Sequence, residues 1–178
     1  MSSPKLLGIS GALRAKSTNS MLLREAARLF GEHTYTQADI NLPLYDGDDE
    51  EATGVPKAVQ TLAEQIAAAD AVIISTPEYN KGPSGALKNA LDWVSRTDVT
   101  PWAGKPVAVM SAAAGRAGGE RAQMVLRGFM VPFRPHILQG PEIHLAASYE
   151  AFDENGHLMG EMYIKDLTAL MTALRAVI

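Results

Sequence analysis

The sequence predicts an α/β fold, a five-stranded parallel sheet with helices on both faces. Three observations predict it. Short apolar runs alternate five times with longer stretches at helical spacing, as when each strand is followed by a crossover helix. The run Ala71-Val72-Ile73-Ile74-Ser75 carries β-branched residues on both faces, as a central strand does. The 178 residues, 47% of them hydrophobic and 20% charged, suffice for one domain with a sizeable core. The whole chain, 1–178, is read as that single domain.

The elements follow in order. Lys5 to Ile9 reads as a buried strand, and Thr18 to Phe30 as a helix carrying Leu22, Leu23, Ala26, Ala27 and Phe30. Thr34 to Asp39 is a second strand. The acidic run Asp46-Gly47-Asp48-Asp49-Glu50-Glu51 is expected to be a solvated loop. Val59, Leu62, Ala63, Ile66 and Ala67 mark the second helix, and Ala71 to Ser75 the third strand. Ala86, Leu87, Ala90, Leu91 and Val94 give the next amphipathic helix. A turn at Gly104-Lys105-Pro106 leads to a fourth strand, Val107 to Met110. Ala122 to Met130 reads as a helix, Ile143-His144-Leu145 as a short fifth strand, and Leu167, Leu170, Met171 and Leu174 as the last helix.

Composition narrows the function. A net charge of -4 has the wrong sign for a general nucleic-acid binder. There are no cysteines, which excludes disulfides, thiolate catalysis and cysteine-ligated metals. The start, Met-Ser-Ser-Pro-Lys, does not read as a signal peptide, and no segment reaches the roughly 18 apolar residues of a membrane span. A cytoplasmic protein is expected. His33, His136, His144 and His157 show no metal-ligand spacing, so no metal site is expected.

Three distinctive segments each follow a predicted strand, and so fall on one edge of the sheet, where ligands of such folds bind. The first is Ser10 to Asn19. A helix starting near Thr18 leaves its first N–H groups unpaired, and their partial positive charge attracts a phosphate. Arg14 can add a bidentate contact, and Ser10, Ser17 and Asn19 can hydrogen-bond phosphate oxygens. A plain turn capped by Ser17 or Thr18 explains the same residues. The loop matches neither G-x-G-x-x-G nor G-x-x-x-x-G-K-[ST]. The second segment runs from Thr76 to Gly85. Its two prolines and two glycines fix an irregular backbone that can face a planar ligand. Pro77, Glu78, Tyr79 and Asn80 offer an aromatic face, donors and acceptors, while Ser84 suits a helix N-cap. The third segment, Ser111 to Gln123, is glycine-rich and lets backbone approach a ligand closely.

All three segments resemble one family. The matching pieces are Ser10-Gly11-Ala12-Leu13-Arg14 with Ser17 and Asn19, Leu42-Pro43-Leu44-Tyr45-Asp46, Pro77-Glu78-Tyr79-Asn80 with Gly85 to Trp93, and Gly118-Gly119-Glu120-Arg121-Ala122-Gln123. They are similar to the NADPH-dependent FMN reductases of flavodoxin-like fold, including quinone and chromate reductases. The resemblance implies a three-layer sandwich holding non-covalent FMN. Its phosphate would lie with Ser10, Arg14, Ser17 and Asn19. Its ring would lie against Pro77, Glu78, Tyr79 and Asn80, with Ser111 and the glycine loop beyond. Hydride from NADPH or NADH would enter the flavin and leave to a quinone, free flavin or oxyanion in the same place, giving ping-pong kinetics. No side chain is needed as acid, base or nucleophile, so no catalytic residue is nominated. A homodimer, or a tetramer built from dimers, is expected from the same resemblance.

The chain departs from its relatives at Ala12, where many carry serine. It departs again at Lys81 and Ser84, where an aromatic and a proline are common. An alternative reading is a flavodoxin-like electron carrier serving a protein partner. The mild charge and the single aromatic, Tyr79, favour the enzyme, since such carriers are more acidic and bracket the ring with aromatics. A nucleotide-binding regulator without flavin is a third reading.

Overall fold

A computed structural model describes residues 3–178. Its six strands are β1 (Lys5–Ser10), β2 (Thr34–Ala38), β3 (Ala71–Thr76), β4 (Pro106–Ala112), β5 (His136–Ile137) and β6 (Ile143–Leu145). Its six α-helices are α1 (Thr18–Phe30), α2 (Gly47–Thr53), α3 (Lys57–Ala68), α4 (Gly85–Val94), α5 (Glu120–Met130) and α6 (Glu161–Arg175). The strands form one parallel sheet in the order β2-β1-β3-β4-β5, with β6 also on β4.

The fifth strand position is shared. β5 pairs with the start of β4 at Pro106 and Val107, and β6 with its end from Met110 to Ala112. The sequence placed only Ile143 to Leu145 there. Two residues such as His136 and Ile137 are too few to show a period of two, so β5 leaves no pattern to read.

Helices cover both faces, giving three layers. Leu22, Ala26 and Phe30 of α1 and Leu167, Leu170 and Leu174 of α6 pack over Leu6, Ile73 and Met110. On the other face, Leu62 and Ile66 of α3, Leu87 and Leu91 of α4 and Leu126 of α5 pack over Leu7, Ile9, Ile74 and Val109. β3 is buried throughout, as its two-sided apolar sequence requires, whereas β2 is an edge strand with four of its five residues at least partly exposed.

The acidic run is not a loop. It forms α2, capped by Asp46, whose carboxylate accepts from Asp48 N at 2.9 Å. Asp48, Asp49 and Glu50 in the first turn suit the positive end of the helix dipole. The helix buries no residue, so apolar periodicity could not reveal it, though the run is solvated as expected.

The chain leaves β1 toward β2 on one side and, after α3, returns to β3 on the other. That reversal opens a crevice beyond the carboxyl ends of β1 and β3. No helix among the described residues is long and apolar enough to cross a membrane.

Candidate functional site

The first loop is anchored at both ends. Ser10 closes β1 and is buried. Its Oγ accepts from Ser20 Oγ at 3.0 Å and from Ala12 N at 3.3 Å. Gly11 N donates across the crevice to Ser75 O of β3 at 2.8 Å. Ser17 is the N-cap of α1, accepting from Asn19 N at 3.1 Å and Ser20 N at 3.3 Å. Between these anchors residues 13–16 are exposed, and among the described residues the amides of Leu13, Arg14, Ala15 and Lys16 find no acceptor. The loop therefore offers free N–H groups beside a helix N-terminus, with the exposed Arg14 on its rim.

Asn19 does something the sequence did not reveal. Its Oδ1 accepts from Ser75 Oγ at 2.7 Å and from Ala112 N at 3.1 Å, and its Nδ2 donates to Ala112 O at 3.0 Å. The buried amide thus ties α1 to the ends of β3 and β4. These bonds go to the sheet and fix where α1 begins.

The second loop is pressed against the first. An added Cβ on Gly11 would stand 3.0 Å from Pro77 Cδ and 3.3 Å from Ser84 Oγ. Ser84 caps α4 by accepting from Leu87 N at 3.2 Å, and its hydroxyl donates to Gly11 O. Pro77 is buried, Glu78 half-buried, and Tyr79 and Asn80 exposed. Tyr79 N donates to Gly82 O at 2.9 Å and Gly82 N donates back at 3.1 Å, closing a two-residue hairpin. Asn80 and Lys81 sit at its tip with φ of 51° and 67°, the left-handed pair of a type I′ turn.

The third loop is fixed by close packing. Ser111 is fully buried, donating to Gly118 O at 2.6 Å and accepting from Gln123 Nε2 at 2.8 Å. Gly118 and Gly119 have positive φ. An added Cβ would meet the His144 carbonyl at 2.3 Å and Ser111 Cβ at 2.7 Å, respectively. Gly119, the N-cap of α5, has no side chain to cap it. Glu78 supplies one from the second loop, accepting from Ala122 N at 3.1 Å. The carboxylate therefore couples the second and third loops. Only the identity of the partner, 44 residues away, is hidden from the sequence.

The structure thus brings Ser10, Ser17, Asn19, Pro77, Glu78 and Ser111 to one edge of the sheet, linked by hydrogen bonds and glycine contacts. Arg14, Tyr79 and Asn80 stand exposed above them. Ser20, Thr76 and Gln123 also belong to this framework. Thr76 packs within 3.2 Å of the position a Cβ on Gly11 would take, and Gln123 is buried with its second donor contact to Ile143 O at 2.7 Å. Thr18 reaches the loop after β6, where its Oγ1 donates to Ser148 Oγ at 3.0 Å.

Comparison with known proteins identifies the relatives of this arrangement. Residues 4–150 match the family model described as NADPH-dependent FMN reductase. The chain is 46% identical over 159 residues to an NAD(P)H-dependent FMN reductase of Pseudomonas aeruginosa, covering 88% of this chain and 85% of that one. It is 35% identical over 173 residues to a quinone reductase of Escherichia coli, covering 95% and 92%. The solved structure of FerB, an NAD(P)H:acceptor flavoenzyme from Paracoccus denitrificans, superimposes with a TM-score of 0.86 at 30% identity, covering 97% and 96%.

Proposed function

The chain belongs to the NADPH-dependent FMN reductase family, and from that premise we propose an FMN-dependent oxidoreductase. It takes hydride from NADPH or NADH and delivers it to quinones, free flavin or similar small acceptors. Curated relatives at 35% identity include a quinone reductase and a 2-hydroxy-1,4-benzoquinone reductase, which favours quinones. Bound FMN supplies the hydride-carrying ring.

The observation that carries the reading is the contact of the first two loops at Gly11. The loop that carries free amides beside the α1 N-terminus touches, through Gly11, the loop bearing Pro77, Tyr79 and Asn80. That arrangement fits a ligand with a phosphate at one end and a flat ring at the other. Loop amides, Ser17 and Arg14 hold the phosphate, by a helix-terminal field and a charge-assisted bond. Ser10 and Asn19 act through the backbone they brace. Pro77 to Asn80 orient the ring, and Ser111 with Gly118 and Gly119 sets the far wall, where only hydrogen can occupy the space of a side chain. Glu78 caps α5 in this reading and moves no proton.

Donor and acceptor use the same face in turn, so ping-pong kinetics follow. The proposal includes a homodimer or a tetramer of dimers in the cytoplasm, where nicotinamide coenzymes are kept reduced.

Anaerobic mixing of FMN-loaded protein with NADPH tests it. Absorbance at about 450 nm, where oxidised flavin absorbs, is expected to bleach within seconds and return when a quinone is added. A flavin that stays oxidised with both NADPH and NADH would leave the electron-carrier reading. A protein that takes up no FMN would leave neither.

A further inference from the structure

A polar cavity of about 290 Å³ lies against the first loop, whose Ser10, Ala12, Leu13, Arg14 and Ala15 form one wall. It opens between α1 and the carboxyl end of β2. Ser20 and Arg24 of α1, Gln37 of β2, Asn41 and the loop residue Arg14 line it. Ser20 Oγ accepts from Gln37 Nε2 at 3.4 Å and donates to Ser10 Oγ at 3.0 Å, so the floor is a chain of polar groups. Arg14 and Arg24 line the cavity, and among the described residues neither has a carboxylate within 4.0 Å. The acidic group on its lining, Asp39, uses Oδ1 to accept from Asn41 N at 2.8 Å. The charged residues on the lining are thus Arg14, Arg24 and Asp39; Arg14 serves the flavin phosphate in the reading above, which leaves Arg24 as the cation for a second anion.

Arg24 beside the side-chain amides of Gln37 and Asn41 matches a phosphomonoester, which a guanidinium fork grips through two oxygens at once. The position suits one end of a dinucleotide. A ring held over β3 lies two strand spacings from β2, about 10 Å at the usual separation of parallel strands, within the reach of an extended nicotinamide coenzyme.

We propose that this cavity is a phosphomonoester subsite that reads the ribose 2′-phosphate of NADPH, with Arg24 as the residue that sets preference over NADH. The inference rests on the reductase reading above. The FMN phosphate carries the same chemistry, so the test separates the two sources.

FMN-loaded wild type, Arg24→Ala and Arg24→Lys are compared by calorimetric binding of 2′,5′-ADP and of 5′-AMP. FMN affinity and the ratio of kcat/KM for NADPH over NADH are measured alongside. Arg24 is exposed on a helix, where alanine is well tolerated. Arg24→Ala is expected to weaken 2′,5′-ADP about tenfold and lower the NADPH-to-NADH ratio by a similar factor, the scale of one lost charged hydrogen bond. Binding of 5′-AMP, FMN affinity and NADH-driven turnover stay as in wild type, and Arg24→Lys recovers part of the loss. Gln37→Glu, which places a negative charge in the cavity, gives the same pattern independently if Arg24→Ala folds poorly. Unchanged 2′,5′-ADP affinity in both variants overturns the subsite. Weakened FMN with unchanged 2′,5′-ADP also overturns it and assigns the cavity to the flavin phosphate. If neither coenzyme bleaches the flavin, the reductase reading fails, while 2′,5′-ADP binding still decides whether the cavity holds a phosphate.

Discussion

Arg14 is the only cation on the exposed arc of the first loop besides Lys16, and no carboxylate neutralises it among the described residues. Its contribution to a bound phosphate is one charge-assisted contact in a partly solvated place. Arg14→Ala is therefore expected to cost about 1–2 kcal/mol of FMN binding, roughly a five- to thirtyfold rise in Kd. Riboflavin, which has no phosphate, serves as the control and keeps its affinity. Fluorescence titration of both ligands checks this, and an equal loss for the two would place Arg14 on the ring. Asn19 shows the opposite balance. The sequence offered it as a phosphate ligand, which its residue type allows. Only the fold reveals that both strands beside it need its amide, because Ser75 and Ala112 are 56 and 93 residues away. A side chain's chemistry is legible in a sequence, but its competing partners are not when they come from distant strands.

At the scale of elements, helices with one wet and one dry face were legible nearly to the residue. α1 runs from Thr18 to Phe30 as its apolar spacing requires, bounded by the Ser17 cap and Gly31. Elements without a buried face were not. α2 is held by Asp46, by its dipole and by Glu50, which accepts from Tyr45 Oη and Arg96 Nε, both at 3.0 Å. The Arg96 guanidinium holds that half-buried carboxyl below the usual carboxylate range. The third loop was read only as glycine-rich, yet its glycines are not equivalent. Gly115 has open space around its Cβ position and no positive φ, whereas Gly118 has φ of 60° and backbone at 2.3 Å. Gly118→Ala incurs about 1–2 kcal/mol for left-handed backbone, and the clash with the His144 carbonyl adds to it. Urea denaturation is expected to show that loss in Gly118→Ala and to leave Gly115→Ala within about 0.5 kcal/mol of wild type. Equal stability of the two variants would mean that the loop does not pack on β6.

For the whole molecule, several of the exposed large apolar side chains belong to the segments around the proposed ring site. Tyr45 N donates to Asn89 Oδ1 at 2.9 Å and Trp93 Nε1 donates to Pro43 O at 2.8 Å, so the segment 43–45 lies along α4. Trp93 is itself buried, edge-on to Tyr45 at 5.0 Å. Leu44 on this segment is 81% exposed, Tyr79 beside α4 is 57% exposed, and Met124, two residues beyond the amide bound by Glu78, is 67% exposed. Large apolar side chains clustered on one surface mark an interaction site more often than solvated surface does. A second copy of the chain is the occupant the reductase reading calls for, because one chain supplies few groups to cover the outer face of a ring resting on Pro77 to Asn80. Light scattering of the FMN-loaded protein is expected to give about twice the 19.0 kDa of one chain, or four times for a tetramer. Leu44→Lys together with Met124→Lys, both changes at solvated positions that the monomer's core does not use, should shift the mass toward 19.0 kDa and weaken FMN in parallel. A wild-type protein that stays at 19.0 kDa at micromolar concentration while binding FMN tightly would show the opposite. The three loops of a single carboxyl edge would then be the complete site, and the exposed Tyr79 would be the ring's own cover rather than half of an interface.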